Sequence, residues 1–169
     1  VPAGTNDNQT WLINGAKDWK DVGKWSAYYY NIDNEDAASF STVSYGTRWA
    51  GLYKFTSLTL GYGLEYAHQK GAHNNAVDYS ADYYHVNLSL GWPSIAPFIA
   101  FESLGGDDTR AGAAFRTPLA TLHAFNGWAD MFLVTPTNGL RDFYVKASYS
   151  LPAGFIEMKS LTGIVTYHD

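Results

Sequence analysis

From Ser57 to Leu90 bulky apolar or aromatic residues alternate with small or polar ones, twice over. Leu58, Leu60, Tyr62, Leu64 and Tyr66 interleave with Thr59, Gly61, Gly63, Glu65 and Ala67; Tyr84, Val86, Leu88 and Leu90 interleave with His85, Asn87 and Ser89. A strand sends successive side chains to opposite faces, so each run has one bulky face and one small or polar face. In a soluble, half-buried strand the bulky face would meet a packed core. Here the other face is mostly Gly, Ser, Thr, Ala and Asn with an occasional charge, which suits a wet lining. The bulky faces end in Tyr, Trp and His, as they do where a barrel meets the membrane interface.

The same periodicity predicts about eight strands. They run over 10–19, 24–33, 40–55, 57–69, a fifth that ends at Trp92, then 95–104, 140–151 and 155–167. In the third, Val43, Tyr45, Trp49 and Tyr53 fall on one face and Thr42, Ser44, Gly46 and Arg48 on the other. In the seventh, Phe143, Val145, Ala147 and Tyr149 oppose Asp142, Lys146, Ser148 and Ser150. Connections at 20–23, 56, 93–94 and 152–154 are short, and those at 34–39, 70–76 and 105–139 are long. Short turns at one end and long loops at the other are the signature of an outer-membrane barrel. The expected fold is therefore all-β, an antiparallel up-and-down transmembrane β-barrel over residues 1–169, with one long, partly helical loop at 105–139.

Composition sharpens this picture. Charged residues make up 16% of the chain and aromatics 17%, fewer charges than the roughly 25% of soluble domains. No stretch reaches the roughly 18 consecutive apolar residues of a spanning helix, whereas a barrel hides its apolar half by alternation. The net charge of −5, with no basic stripe, argues against nucleic acid as a partner. Without cysteine there is neither a disulfide framework nor a thiolate metal site. Val1–Gln9 have no positive stretch and no apolar core, so a signal peptide is either removed or never present.

The long connection breaks the alternation. Thr117 can cap a helix with Pro118 at its first position, Leu119–Phe125 continue it, and Asn126-Gly127 stop it. Trp128–Leu133 would form a second short turn before Pro136. A connection this long is uncommon unless functional, and it is the candidate pore constriction.

The run Thr117-Pro118-Leu119-Ala120-Thr121-Leu122-His123-Ala124-Phe125-Asn126-Gly127-Trp128-Ala129-Asp130, followed by Phe132-Leu133 and Thr135-Pro136, resembles the hallmark segment of the alginate-export family of bacterial outer-membrane proteins. Val77–Tyr84 and Val165–Asp169 are similar to the same family. The resemblance implies a porin-like barrel in the bacterial outer membrane, bathed in membrane lipid, that passes an acidic polysaccharide such as alginate, or a smaller anionic or polar solute. Barrels of that family have many more strands, so the chain is expected to be a segment of a larger one.

The inward faces are expected to carry Arg48, Glu65, His85, Glu102, Asp142, Lys146, Glu157 and Lys17. Charges facing lipid near the midplane cost roughly 2–4 kcal/mol for Arg or Lys, so these must face water or one another. Cross-lumen ion pairs are the bland reading for any one of them. As a group, Arg48, Arg110, Arg116, Arg141 and Lys146 are the candidate solute contacts, with His123 and Trp128 from the insertion. Of the consecutive Tyr28, Tyr29 and Tyr30 at least one must point inward, where it could stack on a sugar ring; Tyr28 and Tyr30 share a face and read more simply as girdle.

An enzyme is not expected. Asp82 and His85 are separated by an odd number and fall on opposite faces, and no serine completes a triad. The histidines are too dispersed for zinc. Gly105-Gly106-Asp107-Asp108 reads as a turn rather than a calcium loop. No cofactor is implied. The competing class is a soluble β-barrel or sandwich that binds a carbohydrate or an apolar ligand.

Overall fold

The computed structural model describes residues 7–118, 134–151 and 161–168. They form a single eight-stranded antiparallel sheet in which every strand pairs with its sequence neighbour. The strands are β1 (Asn8–Trp19), β2 (Gly23–Asn34), β3 (Thr42–Lys54), β4 (Thr59–Gly71), β5 (Ser80–Gly91), β6 (Ile95–Leu104), β7 (Leu140–Leu151) and β8 (Leu161–His168). One 3-10 turn at Ala38–Phe40 takes the start that the sequence pattern assigns to β3. Among the described residues no pairing joins β1 to β8, so the sheet is an open meander and not a closed barrel.

Alternation fixes what each face carries. On β4, Gly61, Gly63, Ala67 and Gln69 are buried, while Leu64 is 53% exposed. On β5, Val86 and Leu88 are 46% and 43% exposed. The small-residue face is thus the covered one and the bulky face the open one. Gly46 shows why the small residues are small. A Cβ there would strike the ring of Tyr28 and the Cβ of Ala67, so the missing side chain makes room for an aromatic from the neighbouring strand.

Aromatics band the bulky face at both ends. Near the short turns Trp19 stacks on Trp49 at 5.6 Å, and Tyr53 lies 4.8 Å from Phe55. The Tyr62 hydroxyl there donates to the Val22 carbonyl. Toward the long loops, Tyr45 meets His68 at 5.3 Å and Tyr66 meets Tyr84 at 5.2 Å.

The buried cluster lies on the small-residue face at its long-loop end. Ala67, Tyr79, Ala81, Leu104, Ala113 and Phe115 form it, with Tyr28, Val77, Tyr83 and Leu140 packed around them. Two of its members come from the 105–118 segment, which folds back onto the sheet. The Gly105 amide donates to the Asp82 carbonyl and the Phe115 amide to the Gly105 carbonyl, while Gly106 bridges Ala114. At the base of the excursion Gly106 and Gly139 touch backbone to backbone. A Cβ on Gly106 would collide with the Gly139 amide, and Gly139 itself has φ +83°, a conformation glycine adopts without steric cost.

Candidate functional site

A single transverse row of titratable side chains crosses the small-residue face. The register sets Arg48 opposite Glu65, Glu65 opposite His85, His85 opposite Glu102, and Glu102 opposite Asp142. Five consecutive strands each contribute one member. Arg48 Nη1 lies 3.1 Å from Glu65 Oε2, and the Tyr28 hydroxyl donates to Glu65 Oε1 at 2.9 Å. The Tyr83 hydroxyl donates to Glu102 Oε1 at 2.7 Å. His168 Nδ1 is 3.0 Å from Asp142 Oδ2, and its ring stacks on Tyr144 at 5.1 Å. Neighbouring strands thus supply each carboxylate's partner, the cross-strand logic that stabilises a sheet.

Above this row the returning segment covers one side of a half-open cavity of about 580 Å³. Its wall includes Tyr28, Tyr30, Arg48, Glu65, Gln69, Tyr83 and Glu102 from the sheet, with Leu12, Ile32, Ser44 and Leu104 between them, and Phe115, Arg116, Thr117 and Pro118 on the loop side. Phe115 stacks on Tyr83 at 5.4 Å. The Arg116 guanidinium sits over the Phe40 ring at 5.7 Å, a cation–π contact, and its buried Nε has no hydrogen-bond partner among the described residues. The cavity therefore presents aromatic walls, two arginines and two carboxylates, a set able to hold polar groups in defined orientations.

Gln69 joins loop to sheet. It is 1% exposed. Its Nε2 donates to Ser44 Oγ at 2.9 Å and to the Arg116 carbonyl at 2.8 Å. Its Oε1 accepts from the Arg116 amide at 2.7 Å and from the Tyr79 hydroxyl at 2.9 Å. Burial pushes the Tyr79 phenol up to about 12, against a smaller opposing pull from Arg116. At the tip of the excursion Asp107 accepts from the Thr109 hydroxyl and amide at 2.5 and 3.0 Å. Those bonds, with Arg110 at 3.2 Å, hold its carboxyl below the usual range. Asp107 thus closes a turn.

Several expected site residues stand elsewhere. Arg48 and Arg116 line the cavity together. Arg110 is outside it, tied to Asp107 and to the Asp78 carbonyl at 2.8 Å. Lys146 lies on the small-residue face of β7, opposite Phe98 and outside the cavity lining. Arg141 is a correction. It pairs with Ser103 in the register of the bulky face, because an odd step from Asp142 reverses its direction. Lys17 is a second, since it opposes Trp25 on that same bulky face. The girdle reading of Tyr28 and Tyr30 is a third, although they do share a face as expected. Tyr28 and Tyr30 point to the small-residue face and stack at 4.9 Å, while Tyr29 faces outward opposite Tyr45. His123, Trp128, Glu157 and the helix expected after Pro118 lie outside the described residues.

Asp82 and His85 do part to opposite faces. His85 joins the transverse row, and Asp82 receives the Tyr66 hydroxyl at 2.9 Å and lies 2.8 Å from His68 Nδ1 on the bulky face. Sequence reasoning missed Gln69, Tyr79 and Phe115. The available signal was a long amide at position 69, in a row otherwise held by glycine, alanine and one glutamate.

No family model, curated protein or solved structure matches the chain.

Proposed function

We propose that this chain forms part of the wall of a bacterial outer-membrane β-barrel and borders a passive passage for polar or anionic solutes. The observation that carries the reading is the inverted burial of the sheet: bulky side chains open, glycine, alanine and glutamine covered. In lipid the open face would be the solvated one, since hydrocarbon takes the place of water around Leu64, Val86 and Leu88.

Where the charges stand supports the same reading. On the bulky face Lys17, Asp33, Lys70, Asp82 and Arg141 all lie within about two residues of a strand end, where a side chain can reach the interface. Arg48 and Glu65, both on the small-residue face, sit at the middle of β3 and β4. A charge at mid-strand demands water or a partner, and the small-residue face supplies both. Lipid does not tolerate an open sheet edge, so the free edges of β1 and β8 would be hydrogen-bonded to neighbouring strands of a larger barrel.

The cargo class rests on two supports. Arg48 and Arg116 turn toward one cavity, which favours polar and anionic groups. An acidic polysaccharide such as alginate follows from the resemblance of 117–136 alone. No step of catalysis is proposed.

The deciding experiment is reconstitution of the full chain into planar bilayers, alongside its behaviour in plain buffer. Discrete conductance steps and a need for detergent are expected. A chain that stays monomeric without detergent and leaves bilayers silent overturns the reading in favour of a soluble carbohydrate- or apolar-ligand-binding sheet.

A further inference from the structure

We propose that Gln69 fixes the width of the passage by locking residues 113–118 onto the sheet, so that solutes are sorted by size at a static step and not by a moving gate. The inference rests on the reading of the small-residue face as a passage wall.

Three observations converge on it. All four hydrogen-bonding positions of the Gln69 amide are used, two of them in a paired exchange with the backbone of Arg116. The side chain thus acts as a short piece of strand, adding a sheet anchor to a loop whose own pairing among the described residues is the single Gly106–Ala114 bridge. The segment on either side of that clasp is packed as tightly as a core: Ala113 and Ala114 are buried, and Phe115 stacks on Tyr83. Beyond the clasp Arg116, Thr117 and Pro118 pass directly over the cavity that Arg48 and Glu102 face. The distance from the sheet to that crossing is therefore set by the reach of one glutamine.

The chemistry is specific to the amide. A leucine would keep the bulk and lose all four bonds, leaving the half-buried Arg116 amide and carbonyl unpartnered. A glutamate would still accept from the Arg116 amide but could not donate to its carbonyl. An asparagine is one methylene too short to reach.

The test compares the full-length chain with Gln69→Leu, Gln69→Glu and Ser44→Ala in bilayers and liposomes. Conductance, exclusion of neutral polymers of graded size, and amide exchange at Arg116 are read together. Gln69→Leu is expected to raise the exclusion size, add current noise and speed Arg116 exchange by roughly ten- to hundredfold. Gln69→Glu should shift all three readouts in the same direction by less. Ser44→Ala, which spares the pair with Arg116, should leave the exclusion size in place.

A conducting protein whose exclusion size and Arg116 exchange both ignore Gln69→Leu overturns the proposal. If the leucine variant does not fold, Gln69→Glu takes its place, and unchanged exclusion size and exchange in that variant overturn the proposal equally. A silent wild-type chain in which Gln69→Leu still frees Arg116 would sink the passage reading, and with it the size step, while keeping the clasp. The two failures are thus distinct.

Discussion

Glu65 and Asp82 are carboxylates on adjacent strands of one sheet, yet their surroundings share almost nothing. Glu65 sits at the centre of its strand, held by Arg48 and by the hydroxyl of Tyr28, and looks into a half-open cavity. Asp82 lies near the start of its strand on the open face, held by His68 and Tyr66 beside the aromatic band. Both are satisfied by cross-strand partners, so polar satisfaction does not separate them. Position along the strand does. A face that admits charge at mid-strand is built for a polar medium, and one that admits it only at the margins is built for an apolar one.

Moving a charge between the faces breaks this comparison most directly. Leu64→Arg, at the centre of the bulky face, should cost about 2–4 kcal/mol in bilayers, read from urea unfolding in lipid vesicles. On a soluble sheet the same exposed position should move stability by no more than about 0.5 kcal/mol. The size of that one change sorts the two media.

Glycine substitution sharpens the contrast at a smaller scale. Gly46→Val would drive a branched side chain into Tyr28 and Ala67, at a cost of about 1–3 kcal/mol. Gly15, on the bulky face of β1, has nothing within 4 Å of a built Cβ, and Gly15→Val should be nearly neutral. Equal losses at the two sites would contradict the asymmetry.

The smallest expected effect is at alkaline pH. The Tyr79 phenol, raised by burial from 10.0 to about 12, stays neutral when folded while its unfolded counterpart ionises. Its contribution to stability is complete below pH 10 and is lost as pH rises through 12. Ultraviolet titration of tyrosine should lose one late-ionising group in Tyr79→Phe. A Tyr79 that ionises with the exposed tyrosines would mean the segment is not clasped to the sheet.

Much of the fold is legible from alternation alone. The bounds of β6 and β7, the opposite faces of Asp82 and His85, and the inward Arg48 and Glu65 follow from a period of two. Arg141 and Lys17 run against expectation because chemistry assigns a positive charge to the wet face, whereas the period places each beside outward residues. Long side chains near a strand end satisfy themselves on either face, so charge is a weak guide there. The 113–118 clasp is beyond reach for another reason. Gln69, Tyr79 and Arg116 meet through a returning loop, and no local periodicity encodes that contact.

The meeting of Gly106 and Gly139 has a wider consequence. Because the two feet of the 107–138 excursion stand against each other, the chain leaves β6 and returns to β7 through one narrow neck. Doubling the length of such an excursion adds only about 0.6 kcal/mol of closure entropy. A neck of that kind lets the excursion lengthen without disturbing the register of β6 and β7.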